Sequence, residues 1–240
     1  MIFKLAIPAV VFCLTTLYPV FYVEPDKNPL TSGKDNMTGP SVDLLYKRLG
    51  ESDLPLAALK SSVNIYKRLT KEGQITNGNV ITIINFNKPS HLNRLFVIDL
   101  ASEKILYKSL VAHGKNSGEY YATSFSNVLN SHRSSLGFYL TGEPYMGRHG
   151  YSLMLDGLEK GINDNAKKKA VVIHGAAYVS PDYIALNGRL GRSFGCPALP
   201  LEIVSDIIDT IQGKSLFFIY CNDENYCKNS KFFNSFLSSP

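Results

Sequence analysis

The chain has 240 residues, 45% of them hydrophobic and 19% charged, which is enough apolar material for a sizeable core without support from metals. Its 25 Lys and Arg against 20 Asp and Glu leave a formal charge of +5, and no basic stripe interleaves with aromatics, so nucleic acid is excluded as a partner. The small positive excess suits a carboxylate-rich partner without requiring one.

In chain order, the first stretch differs in kind from the rest. One Lys is followed by an apolar run from Leu5 to Val23, which reads as a signal peptide or membrane anchor over residues 1–24. Either reading places the remainder outside the cytoplasm, in the periplasm or cell envelope, with anchoring to the inner membrane in the second case. Residues 25–40 are rich in Pro, Gly, Asn and Asp and read as a linker. "SVDLLYKRLG" carries a Ser cap and a closing Gly50. "LPLAALKSSVNIYKRLTKEG" places Leu56, Leu59, Val63, Tyr66 and Leu69 at helical spacing. Together they predict a helical segment over 41–73.

From residue 80 the period shortens to that of strands. "NVITIINFN", "RLFVIDLAS" and "KILYKSLVAHG" are β-branched and alternating, the last two forming a hairpin. "LGFYLTGEPY", "YSLMLDGLEKG" and the apolar "KKAVVIHGA" predict three more strands. The "AKKKA" run before the last reads as a solvated turn. "LEIVSDIIDTIQG" is an amphipathic helix closed by Gly213, and "KSLFFIYC" is the final strand, leaving residues 223–240 as a tail. Helices, then many strands, then a helix and a strand predict a β-rich α+β domain over 80–222, not a doubly wound parallel sheet.

Two stretches carry candidate chemistry: "VVIHGAAY", residues 171–178, and "RLGRSFGCPALP", residues 189–200. Beyond the leader the cysteines are Cys196, Cys221 and Cys227. The last two flank a polar stretch and either close a small disulfide loop or stay free; pairing them leaves Cys196 as the odd thiol, which in an exported protein needs a reason. A nucleophilic thiol needs a base, backbone donors for the oxyanion and an uncrowded approach. Gly195 clears the space beside the sulfur and lets the N–H groups of Gly195 and Cys196 converge, while Pro197 biases Cys196 away from helix. His174, ending an apolar strand, is the candidate base. The bland alternative is a satisfied core histidine and an inert cysteine. A zinc site of His113, His149, His174 and Cys196 has the ligand types but lacks close-spaced ligand pairs.

"IHGAAY" followed by "GRSFGCPALP" resembles the active-site signature of the murein L,D-transpeptidase family, the YkuD-like domain. The family pattern is His-Gly, a spacer, then Ser-His-Gly-Cys; here His174-Gly175 precedes Ser193-Phe194-Gly195-Cys196. "SSLGFYLTG" resembles the family's Thr-Pro-x-Gly-x-Phe strand through Gly137 and Phe138, and the resemblance covers roughly residues 80–220. The longer run from "VAHGKNSG" to "LEKGINDNA" resembles a distinct branch of the family. Two departures stand out: Phe194 replaces the motif His, and Pro197 and Ala198 stand where an Arg is usual.

The resemblance implies a mixed β-sandwich with flanking helices. It implies Cys196 as nucleophile, His174 as base, the Gly175 carbonyl as orienter of the imidazole, and Gly195 and Cys196 as the oxyanion hole. It further implies substrate contacts from Ser193, Tyr178, His149, His113 and either Arg189 or Arg192. The substrate would be a peptidoglycan stem tetrapeptide, cut between the L-centre of diaminopimelate and D-Ala, by a monomer that requires no metal or organic cofactor. A carboxypeptidase on the same site, or a wall-binding module that has lost turnover, are the other expectations.

Overall fold

The β-branched and aromatic runs become eight strands: β1 (Val80–Asn85), β2 (Leu95–Asp99), β3 (Lys104–Ser109), β4 (Gly137–Gly147), β5 (Gly150–Gly157), β6 (Val172–Gly175), β7 (Ala198–Leu199) and β8 (Leu216–Tyr220). This computed structural model describes residues 41–235, so the leader and linker expected over 1–24 and 25–40 lie outside the described residues. The strands form one mixed sheet in the order β3-β2-β1-β8-β4-β5-β6-β7. The pairs β1–β8 and β6–β7 are parallel; the others are antiparallel. Ala112, just past β3, bridges Ala198 of β7. The two ends of the sheet therefore meet, and it curls nearly into a barrel, which removes most exposed strand edge. The β-rich α+β expectation holds.

Helices α1 (Val42–Leu49), α2 (Leu56–Lys71), α3 (Pro181–Asn187), α4 (Val204–Ile211), α5 (Glu224–Asn229) and α6 (Lys231–Asn234) surround the sheet. Ser41 Oγ accepts from Leu44 N–H at the start of α1, and Gly50 closes it in the left-handed conformation, as the sequence predicts. Leu59, Val63 and Leu69 of α2 enter the same core as Ile207, Ile208 and Ile211 of α4 and the wholly buried β8. Residues 224–234 are not a loose tail: Tyr226 and Phe233 of α5 and α6 are core residues. Among the described residues no helix is long and apolar enough to cross a membrane.

A buried polar cluster fixes the long connection from β5 to β6. Asn163 Nδ2 donates to Leu136 O and Phe138 O at 3.0 and 2.9 Å, and its Oδ1 accepts from Glu159 N–H at 2.8 Å. The buried Glu159 carboxylate accepts from Phe138 N–H and Tyr226 O–H, at 2.8 and 3.1 Å, and from Ser230 O–H. Burial raises the Glu159 pKa, against the pull of those donors. The connection is thus tied at once to the start of β4 and to the C-terminal helices. Replacing Asn163 strands buried backbone groups, so Asn163→Ala is expected to destabilise the fold by about 2–4 kcal/mol, read from the midpoint of urea unfolding; a loss under about 0.5 kcal/mol would show that the cluster is not structural.

Candidate active site

Strand β6 is short because it is bounded by structure that must turn. It begins after Ala170, a non-glycine residue at φ +50°, and ends at Gly175. His174 pairs with Ser152 of β5 on one side and with Ala198 of β7 on the other. Cys196 lies two residues before Ala198, so the parallel β6–β7 pairing brings the residues of the His-Gly and Gly-Cys stretches to one sheet end. Cys196 and His174 line a common cleft of about 460 Å³, within the range of small-molecule and peptide sites.

His174 is buried, and its Nδ1–H donates to Gly175 O at 3.0 Å. A carbonyl only accepts, so this bond places the ring proton on Nδ1 and leaves Nε2 as the basic nitrogen. The His149 ring stacks on it with centroids 4.6 Å apart. Burial first, and His149 second, hold the His174 pKa below the ordinary imidazole value, while the Gly175 bond opposes them. Gly175 O and the His149 ring are thus two contacts made by the His174 imidazole.

The turn before Cys196 is built by Ser193. Its hydroxyl donates to Cys196 O at 2.6 Å and accepts from Gly195 N–H at 3.0 Å. Gly195 has φ +123°, and a Cβ there would meet Arg133 O at 2.8 Å, so only glycine fits. Of the two expected oxyanion donors, the Gly195 N–H is engaged by Ser193 Oγ, whereas the Cys196 N–H has no hydrogen-bond partner among the described residues. Ser193 likewise lines the cleft as the brace of the turn. Cys196 Sγ–H donates to Ala170 O at 3.5 Å. Burial raises the thiol pKa; a backbone hydrogen bond from Val172 and the charge of Lys169 pull it down.

Lys169 is the residue that sequence reasoning missed. Its run reads as a solvated turn, yet its ammonium donates to Ser126 O, to Arg133 O at 3.3 Å and to Ser135 Oγ at 2.9 Å, and it lines the cleft beside the sulfur. Tyr145 and Arg148, at the tip of the β4–β5 hairpin, are also cleft residues not singled out by sequence. Tyr178 lines the cleft, with its hydroxyl pushed up to about 12, chiefly by burial. Phe194 lies at the cleft, 62% exposed, with its ring tilted on His132 and facing Lys115 Nζ at 4.5 Å from its centroid.

Two expected contacts lie elsewhere. His113 is fully buried: its Nδ1 accepts from Arg94 Nη2 at 2.8 Å and its Nε2 faces Gly118 O at 3.2 Å. Burial, then Arg94, push its pKa down to about 3. It braces the site from behind, through its carbonyl, which accepts from Ser193 N–H at 3.0 Å. Arg189 does not line the cleft; its Nε pairs with Glu119 at 3.0 Å. Arg192 does line the cleft, and its Nη1 is held by the same carboxylate at 2.6 Å. The four residues of the zinc reading form no common site, and among the described residues no group of three or more His, Cys, Asp or Glu could hold a metal ion. Cys196, Cys221 and Cys227 are free thiols.

A search of curated proteins finds no match. Among solved structures, the L,D-transpeptidase from Mycobacterium smegmatis is 13% identical at a TM-score of 0.36, over 60% of this chain and 59% of that one. The chain thus spans about three fifths of that structure's length. The L,D-transpeptidase from Stackebrandtia nassauensis is 12% identical at 0.36, over 76% and 77%. The helical cell shape determining protein from Campylobacter jejuni is 15% identical at 0.36, over 67% and 55%. A sequence model of one family, described as the L,D-transpeptidase catalytic domain (YkuD_2), matches residues 51–220, most of the chain and every cleft residue named above. On that match, the chain belongs to the L,D-transpeptidase catalytic domain family.

Proposed function

We propose that the protein is a cysteine acyltransferase that makes L,D-cross-links in peptidoglycan through a thioester on Cys196. The observation that carries this reading is the shared cleft of Cys196 and His174, with the imidazole held by Gly175 O so that Nε2 is free to take a proton. The donor is a stem tetrapeptide, and the bond broken joins the L-centre of diaminopimelate to D-Ala. The protein acts on the envelope side of the membrane as an exported chain.

The resting pair is a thiol and a neutral imidazole, since burial disfavours charge on both. As Sγ attacks the donor carbonyl, its proton passes to His174 Nε2. The carbonyl oxygen becomes an oxyanion, and the Cys196 N–H is its candidate donor. The intermediate collapses to the thioester as Nε2–H protonates the departing amine of D-Ala. A side-chain amine of a second stem then attacks, gives its proton to Nε2, and the thiol is restored as the new amide forms. Lys169 supports the negative charge that develops on sulfur during the first step.

Incubation of the chain with a disaccharide-tetrapeptide, read by mass, tests the proposal: a cross-linked dimer with release of D-Ala is expected. Tripeptide alone would make water the acceptor and the protein a carboxypeptidase, and unchanged substrate would sink the catalytic reading. In the same assay Cys196→Ala is expected to abolish both turnover and covalent labelling by a carbapenem. His174→Ala is expected to lower the rate by ~10²-fold or more, and a near-normal rate would remove His174 from the mechanism.

The pH dependence follows from the two shifts. His174 must be neutral to act as base, and its lowered pKa puts the acid limb of kcat/KM below about pH 6.5. The raised thiol pKa means that alkylation of Cys196 by iodoacetamide climbs through and above the ordinary cysteine range, about pH 8.5. An alkylation midpoint near pH 5–6 would reveal a preformed thiolate–imidazolium pair and overturn the neutral resting state.

A further inference from the structure

Three cations line the cleft that holds Cys196: Arg148, Lys169 and Arg192. Two are already engaged. Arg192 Nη1 donates to Lys115 O and Gly118 O at 3.1 Å each and to the Glu119 carboxylate at 2.6 Å. Lys169 is half-buried and donates to Ser126 O, Arg133 O and Ser135 Oγ. Arg148 differs from both. It stands exposed in the turn between β4 and β5, next to His149, and among the described residues it has no hydrogen bond and no ion pair.

The surroundings give that guanidinium a purpose. No Asp or Glu is among the described residues that line the cleft. The walls contributed by Tyr145, Val172, Tyr178 and Phe194 are largely aromatic or apolar. A concave site with one sign of charge and weakly polar walls attracts and orients anions. An unpaired Arg on an open surface is usually only solvated. Here it borders the cleft that contains the thiol and its base, and a guanidinium presents the paired donors that match a carboxylate.

We propose that Arg148 receives the C-terminal carboxylate of the acyl-donor peptide and so makes a free terminal carboxylate the specificity determinant of the site. This rests on the acyl-transfer reading above. In that reaction the leaving residue carries its carboxylate on the carbon next to the departing nitrogen. A cation at the mouth of the cleft therefore holds the leaving group while Sγ attacks the preceding carbonyl. A peptide continued or amidated at its C-terminus offers Arg148 no charge and is a poor donor. Arg189 and Arg192, the cations expected from sequence as substrate contacts, are both committed to Glu119.

The test uses two reagents for one thiol. Iodoacetate carries a carboxylate and iodoacetamide does not, and labelling is read by mass on the peptide containing Cys196, which separates it from Cys221 and Cys227. The ratio of the two alkylation rate constants, iodoacetate over iodoacetamide, is expected to fall about five- to tenfold in Arg148→Gln and to stay within about twofold of the parent in Arg148→Lys. An unchanged ratio in Arg148→Gln overturns the proposal, and so does a parent chain whose Cys196 is labelled by neither reagent. In a second arm, the parent chain is given tetrapeptide donors with free and amidated C-termini. Arg148→Gln should raise KM for the free acid about tenfold and leave the amide unchanged; equal effects on both overturn the assignment of the carboxylate. An Arg148-dependent alkylation ratio without turnover of either peptide retains the anion site and overturns the peptide as its ligand, which is how failure of the acyl-transfer reading is told apart.

Discussion

The parallel pairing of β6 with β7 is the constraint on which the site depends. Its register sets His174 against Ala198 and Gly175 against Leu199. A parallel pair needs a crossover, and the segment between the two strands supplies one that includes α3 and the Arg189–Gly195 loop. The crossover lets residues far apart in sequence meet at one end of the sheet. Neither strand is held by this pairing alone. β6 also pairs with β5, and β7 is bridged by Ala112 from beyond β3. Both sides of the cleft are therefore anchored in the sheet, while the turn that presents the sulfur is braced by two hydroxyls, those of Ser193 and Ser134.

Around that scaffold the cleft separates two kinds of cation. Lys169 is half-buried and spent on backbone and hydroxyl oxygens, so it gives the sulfur a fixed field. Arg148 is exposed and unspent, so it is suited to something that comes and goes. His113 and Arg94 make a third arrangement. The guanidinium of Arg94 is fully buried and bonded to Val111 O, Lys88 O and His113 Nδ1, with no carboxylate partner among the described residues. Satisfied donors make such a charge tolerable in the interior, and the result is a rigid backing for the loop that carries Ser193.

Much of the fold was legible in the sequence because local chemistry and tertiary packing agree. Ser41 and Gly50 bound α1, and the β-branched runs became β1, β2 and β8. Helix α3 was missed although its signals were present: Ser180 caps it, Pro181 opens it and Gly188 ends it in the left-handed conformation. Its seven residues bury none of their side chains, so no apolar period announced it. The two-residue β7 is too short to have a period, and only its partners define it. In the site, Cys196, His174 and Gly175 could be named from a short motif, because motif residues are close in sequence. Lys169, Arg148 and the misplacement of His113 could not, since the difference between a solvated, a cleft-facing and a buried cation or imidazole is made by distant segments. Ser193 shows the same limit: its type was visible, but not that its oxygen takes up the Gly195 N–H.

The bridge between Ala112 and Ala198 has a kinetic corollary. The segment just past β3, from the first half of the chain, meets there the strand that follows the Cys196 loop. Such a contact closes a long stretch of polypeptide and belongs among the last to form. Until it does, among the described residues the strand that follows Cys196 is held in the sheet by β6 alone. The shape of the cleft is thereby set by completion of the sheet.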